Sequence, residues 1–409
     1  MKIKLYHSLP CFLFLLTFST FAQDSRVQFP SALANSYFEV NFGYIYYPFT
    51  AASLEPGYTV EKINIPRNSL RIVLYGHNFN KYLAAQVSYT RPLHWAAYTA
   101  IGGTNNYADT TGHSVIMNMA GLTFKGTLPI GTKFSFYGEV GLAVVTRDGF
   151  REVEAIRYDK LEVVTNESYA STLFGAGINY NFSNKWALKL SGVYSPPNQK
   201  IGQPFTAQYA VGFAYTMRQL SKDRIAKKEE SKCIFPRNLI QVGFATNSFG
   251  YGINDFLSDG TVPVFWGGRA HVETGFSVQY QRNIFHGRKY FSFDWGTTLG
   301  FWRSEKDHQK FMTISVFPMF RFTLLRTKPF DFYLNYSLAG PTFISGLKID
   351  DRNTGPHFTF QDNIGVGLFM GKERKLNTEV KIGHYSNGNL FTENDGVKIP
   401  LTVNLGYTF

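Results

Sequence analysis

Cysteine is almost missing from this chain. Of 409 residues only Cys11 and Cys233 are cysteine. Cys11 falls in an N-terminal leader, so the processed chain keeps Cys233 alone and has no intrachain disulfide. After Ala22 no apolar run approaches ~18 residues, which excludes a spanning helix. The histidines show no metal-ligand spacing, and nothing calls for a cofactor or a metal. No motif points to nucleic acid. Aromatic residues, by contrast, are abundant: they make up 17% of the chain, with 39 Phe and 25 Tyr.

The first residues, MKIKLYHSLPCFLFLLTFSTFAQ, carry a basic start at Lys2 and Lys4 and a short apolar core from Pro10 to Phe21. Thr20-Phe21-Ala22 makes an acceptable cleavage site before Gln23. Residues 1–22 are therefore expected to be a cleaved signal peptide. The chain's formal charge is +12, and losing Lys2 and Lys4 leaves +10 (12 − 2). Such a surplus suits anionic head groups, and ordinary turn lysines account for it equally well.

An exported chain with many aromatic segments and no helical span leads to an all-β expectation: transmembrane antiparallel β-barrels in an outer membrane. From Ser36, residues Phe38, Val40, Phe42, Tyr44 and Tyr46 face one way while Glu39, Asn41 and Gly43 face the other. About eight such runs follow one another up to Met217. Residues 218–237, RQLSKDRIAKKEESKCIFPR, lose the alternation and read as a charged periplasmic linker, partly helical. About eight further runs fill 238–409. The chain is thus divided into a barrel at 23–217, the linker, and a barrel at 238–409, with a single barrel of about sixteen strands as the alternative. The ending LTVNLGYTF, closing on Phe409, is similar to the assembly signal that hands such barrels to the barrel assembly machinery. The first half resembles the broad OmpA-like barrel group in pattern alone.

One stretch breaks the pattern with chemistry. In the run Leu376–Ser386 the apolar face, Leu376, Thr378, Val380 and Ile382, continues into His384 and Ser386. A His and a Ser two apart on one strand share a face, as a base and a nucleophile must. With both termini in the periplasm, this strand ascends and the pair lies at its extracellular end, facing outward beside the outer leaflet. On the preceding run, Asp362 is the one charge on the apolar face. Counting back from the turn Gly371–Lys375, which pairs Met370 with Leu376, places Asp362 across from His384.

With HYSNGN placed on the penultimate strand, residues 238–409 resemble the lipid A 3-O-deacylase (PagL) family. The resemblance extends to the strand GPHFTFQDNIGVGLFM and to the loop with Asn394 and Gly396. It implies hydrolysis of an ester-linked acyl chain on lipid A of lipopolysaccharide, with Ser386 as nucleophile, His384 as general base, and Asn387 with the N–H near Gly388 as oxyanion donors. The family's acidic member, a Glu about a dozen residues past the Ser, is missing here, where the chain reads Val397-Lys398-Ile399-Pro400. Asp362 is the expected substitute, with the loop residues Glu393 and Asp395 as other options. The HxSNG string also resembles outer-membrane phospholipase A, whose third member would fall near Lys398 and is likewise missing. A non-catalytic barrel that binds lipopolysaccharide is the remaining alternative. Asp350, Asp351 and Asn353 are a weak cation candidate, set against an ordinary acidic loop, and His357 an interfacial residue.

Overall fold

The computed structural model describes residues 25–102, 108–153, 160–258 and 267–409. The expected signal peptide lies outside the described residues. Alternation of side chains along each strand closes two separate rings of eight antiparallel strands, so the single large barrel is set aside. The first ring consists of β1 (Ser36–Tyr46), β2 (Asn68–Asn78), β3 (Leu83–Pro92), β4 (Ala108–Ile130), β5 (Phe134–Asp148), β6 (Glu167–Asn181), β7 (Trp186–Ser195) and β8 (Thr206–Thr216). It closes where β1 pairs with β8, Tyr37 opposite Thr216. The second consists of β9 (Asn238–Thr246), β10 (Ala270–His286), β11 (Phe291–Ser304), β12 (Lys310–Arg326), β13 (Phe330–Ile344), β14 (Phe358–Met370), β15 (Leu376–Ser386) and β16 (Val397–Thr408). Here β9 closes on β16, Leu239 opposite Thr408. Closure leaves no unpaired edge in lipid.

Outward positions are apolar and exposed: Phe42, Leu122, Phe136 and Leu190 on the first ring, Val242, Ile314, Val366 and Leu405 on the second. Inward positions are largely polar, and the charged ones are paired with one another, as burial demands. In the first lumen Arg71 pairs with Glu139 at 2.7 Å, and Lys125 and Lys189 both reach Glu39. In the second, Asp294 takes Arg321, and a chain of hydrogen bonds runs from Arg321 through Gln281, Gln241 and Asn377 to Tyr333 and Glu379. Such networks fix which residues face in, because a slip of one residue would turn every side chain to the wrong face.

Short turns gather at one end of both rings, where 79–82, 131–133, 327–329 and 371–375 connect strands. Longer loops gather at the other, which is the extracellular end of barrels of this kind. The first ring is prolonged there by strands Thr59–Asn64 and Ala96–Gly102, the latter paired to the upper part of β4. Alternation alone does not distinguish this extension from barrel wall. The linker contains helix α1 (Lys222–Glu229), which agrees with the partly helical expectation. Among the described residues no helix is long and apolar enough to cross a bilayer.

Candidate active site

Strand β15 presents Asn377, Glu379 and Lys381 to the lumen, so His384 and Ser386 project from the outer wall near the long-loop end. The register places Asp362 of β14 directly opposite His384, as the count from the Gly371–Lys375 turn expects. Asp362 Oδ2 lies 3.7 Å from His384 Nδ1. Its other oxygen, Oδ1, accepts a 2.6 Å hydrogen bond from the Ala339 N–H. That donor exists because the β13–β14 pairing is irregular between Ser337 and Gly340, where Ala339 takes φ 52. A bulge of this kind re-aims backbone groups toward a functional position. On the other side of His384 the register partner is Lys398. Its ammonium is drawn away to Asp255, 2.5 Å distant.

His384 faces outward as expected, but it is covered and so is not open to the bilayer. Only 2% of it is exposed. Helix α2 (Gly252–Ser258) covers this part of the wall, and Asn254 donates to the carbonyls of Ile399 and Gly383. His384 Nε2 lies 2.6 Å from the Gly267 carbonyl. The fit is close at Gly396, which has φ +66. A Cβ there would stand 2.7 Å from Gly267 O and 3.3 Å from His384 Nε2, so glycine is required on both counts.

Beyond Ser386 the chain turns through Gly388 and Asn389, both at positive φ. The turn brings the Gly388 N–H to donate to Ser386 Oγ at 3.0 Å. Asn394 Nδ2 donates to the same oxygen at 3.0 Å, and Asn394 Oδ1 accepts from the Asn387 N–H at 2.9 Å. In the sequence Asn394 is only one residue of the loop before the last strand. The signal was its polarity seven residues after Asn387, and only the folded loop reveals its contact with the serine. The Asn387 side chain is fully buried, and neither of its polar atoms has a hydrogen-bond partner among the described residues. It lies against Gly355, where a Cβ would come within 2.6 Å of Nδ2. A buried amide without a hydrogen-bond partner is costly.

The loop carboxylates go elsewhere. Glu393 is bound by Asn353 Nδ2, while Asp395 accepts from the Asn353 N–H at 2.9 Å and meets Arg269. The Asp350–Asp351–Asn353 group is an ordered turn. Asp350 accepts from Ser304 Oγ and from the N–H groups of Lys306 and Asp307. Burial works against its ionisation, yet these donors outweigh burial and hold its carboxyl below the ordinary value. Asp351 pairs with Lys306 and Lys348. His357 Nδ1 contacts the Ile344 carbonyl at the start of β14.

The site thus unites His384 with Asp362 across one strand pair, and Ser386 with Gly388 and Asn394 across one loop. Against known proteins, residues 270–408 match the family model described as lipid A 3-O-deacylase (PagL). Residues 35–208 match the OmpA-like transmembrane domain. Among solved structures, the outer membrane enzyme PagL is 16% identical, with 42% of this chain and 99% of that one covered at a TM-score of 0.30. The N-terminal β-barrel domain of Pseudomonas aeruginosa OprF is 16% identical, with 44% and 98% covered at 0.26. Neisserial surface protein A is 11% identical, with 44% and 97% covered at 0.29. No curated protein matches the chain.

Proposed function

We propose that the second barrel is an outer-membrane serine esterase that removes an ester-linked acyl chain from lipid A in the outer leaflet. The observation that carries this reading is the pairing of Asp362 with His384 on the outward face that also bears Ser386. The family match of residues 270–408 supplies the substrate class. A charged side chain on an outward barrel face is costly, and here it sits beside a histidine that can use it.

Ser386 Oγ attacks the ester carbonyl as His384 Nε2 takes its proton. Nε2 has to exchange the Gly267 carbonyl for the serine hydroxyl before this step. Asp362 orients the ring through Nδ1 and stabilises the imidazolium that forms. The tetrahedral oxyanion is met by the Gly388 N–H and by the amide of Asn387, which has no partner among the described residues. Asn394 keeps the serine oxygen in place. Collapse expels the sugar hydroxyl with the proton from His384. Water then repeats the sequence on the acyl-serine and frees the fatty acid. Relative to the family pattern the carboxylate has changed sides: Lys398 stands across one flank of His384 and Asp362 across the other.

The test is the mass of lipid A from cells making the wild-type chain or Ser386→Ala. One acyl chain fewer with the wild type alone supports the reading. Identical lipid A in both rejects it. Fatty acid released from glycerophospholipid instead, with lipid A intact, assigns the site to phospholipid hydrolysis.

A further inference from the structure

Among its described residues the first barrel carries no comparable site, yet its outer wall has a feature that the barrel does not need. Outward positions on β3, β4, β5 and β6 are apolar through the middle of the wall, with Val87, Leu122, Phe124, Leu142 and Val144 exposed. Toward the long-loop end the same faces turn to Tyr89, Asn118, Thr146 and Ser168. Three of these form one lateral row: Asn118 is the register partner of Thr146, and Thr146 of Ser168. Asn118 and Thr146 face outward but are only 1% exposed. What covers them is the loop that follows Ser386 in the second barrel. The Tyr89 hydroxyl lies 2.9 Å from the Gly388 carbonyl, and Asn118 Nδ2 3.5 Å from the Asn389 carbonyl. The Thr146 and Ser168 hydroxyls donate to the Leu390 carbonyl at 3.0 and 3.1 Å.

Three consecutive carbonyls of the loop therefore find donors on the other barrel. Left without partners under cover, each would carry the desolvation cost of an unmade hydrogen bond. The peptide that gives its carbonyl to Asn118 links Asn389 to Leu390, one residue beyond Gly388, whose N–H reaches Ser386 Oγ. We infer that the first barrel is an intramolecular scaffold for the second: Tyr89, Asn118, Thr146 and Ser168 are positioning residues that hold the Gly388–Leu390 loop in the geometry the nucleophile requires. This rests on the reading of Ser386 as a nucleophile, and it gives the first barrel a task independent of any ligand of its own. A displacement of ~1 Å in such a loop is enough to slow chemistry by up to ~10²-fold.

The test uses the full chain in bilayers with the triple substitution Tyr89→Phe, Asn118→Leu and Thr146→Val. Each change makes the wall more apolar, so the first barrel should keep its heat-modifiable migration. Three measurements are compared with the wild type: amide hydrogen exchange of residues 387–391, the rate of Ser386 labelling by a fluorophosphonate, and kcat and KM on lipid A. Exchange should quicken, labelling should slow by about tenfold or more, and kcat should fall with KM nearly unchanged. Restoring only Thr146 should recover part of the labelling rate. Labelling that falls in this way in a chain inert toward lipid A keeps the scaffold and removes the substrate assignment. Unchanged exchange and unchanged labelling in the triple variant overturn the scaffold, as does a wild-type Ser386 that the probe never labels.

Discussion

The two barrels are built alike and interrupted differently. Both wrap a polar, hydrogen-bonded lumen in an apolar wall, and both have polar residues on the outer face near the extracellular end. In the first barrel that interruption is a row of neutral donors, Asn118, Thr146 and Ser168, whose partners are backbone carbonyls. In the second it is a carboxylate, an imidazole and a hydroxyl: Asp362, His384 and Ser386. Neutral donors can bind a peptide backbone but cannot move a proton at neutral pH. An acid–base pair with a nucleophile can. A polar group on a barrel's outer face thus signifies little until its chemistry and its cover are known.

The largest effect is expected of Ser386→Ala or His384→Ala. Either should remove fatty-acid release by about 10⁴-fold or more while the second barrel still migrates as a folded, heat-modifiable species. Asp362→Asn comes next. Turnover should drop by up to ~10⁴-fold with KM little altered, measured on purified lipid A. Glu393→Gln and Asp395→Asn should stay within about tenfold of wild type, since those carboxylates serve Asn353 and Arg269 rather than His384. Full activity in Asp362→Asn with loss in Asp395→Asn would transfer the acid role to the loop.

Gly396→Ala should do less, because it disturbs the cover and leaves the chemical groups intact. A side chain at φ +66, pressed on Gly267 O, should cost about 1–2 kcal/mol and show as a lower unfolding midpoint in guanidinium. Residues 238–409 expressed alone should insert and become heat-modifiable, and their turnover should fall short of the full chain's. A second half that never folds would instead make the two rings one cooperative unit.

The smallest effect concerns pH. Asp148 stands four residues above Val144, the last apolar outward residue of β5, and so lies above the bilayer. Burial raises its carboxyl to about 6, with Glu393 and Asp395 adding repulsion and a hydrogen bond from the Glu393 backbone opposing it. Free of the loop it should titrate near ~3.9. A group raised on docking favours the docked state fully below its undocked pKa and loses that contribution as pH rises through the docked one. Loop protection should therefore weaken modestly between about pH 4 and about 6, and Asp148→Asn should flatten the dependence.

Much of this was legible in the residues. Strand alternation requires only local sequence, so both rings and the break at 218–237 can be read directly. The Asp362–His384 register was also legible, because a tight turn transmits a pairing along two strands without slack. What escaped depends on residues distant in the chain. The upper part of β4 continues a strand pattern into an extension outside the ring. Gly267 reaches His384 across 117 positions, and no periodicity connects them. Asn394 looks like any loop asparagine until the turn at Gly388 folds it onto Ser386. Tyr89 and Gly388 are 299 positions apart, and the row at Asn118 reads as a wall becoming polar near water.

The barrels are also joined at the periplasmic end. Phe29 stacks on Phe285 with ring centroids 4.1 Å apart, Arg26 donates to the Phe235 carbonyl, and Lys228 reaches the Val27 carbonyl. A tether that already holds two bodies side by side in a membrane makes any second contact between them intramolecular. The loop meets its row of donors at a high effective concentration, so a few hydrogen bonds of modest strength suffice to keep it there. The same bonds between separate barrels would be too weak to pair them. Covalent linkage, more than the strength of the contact, is then what allows one barrel to serve as a fixed part of the other.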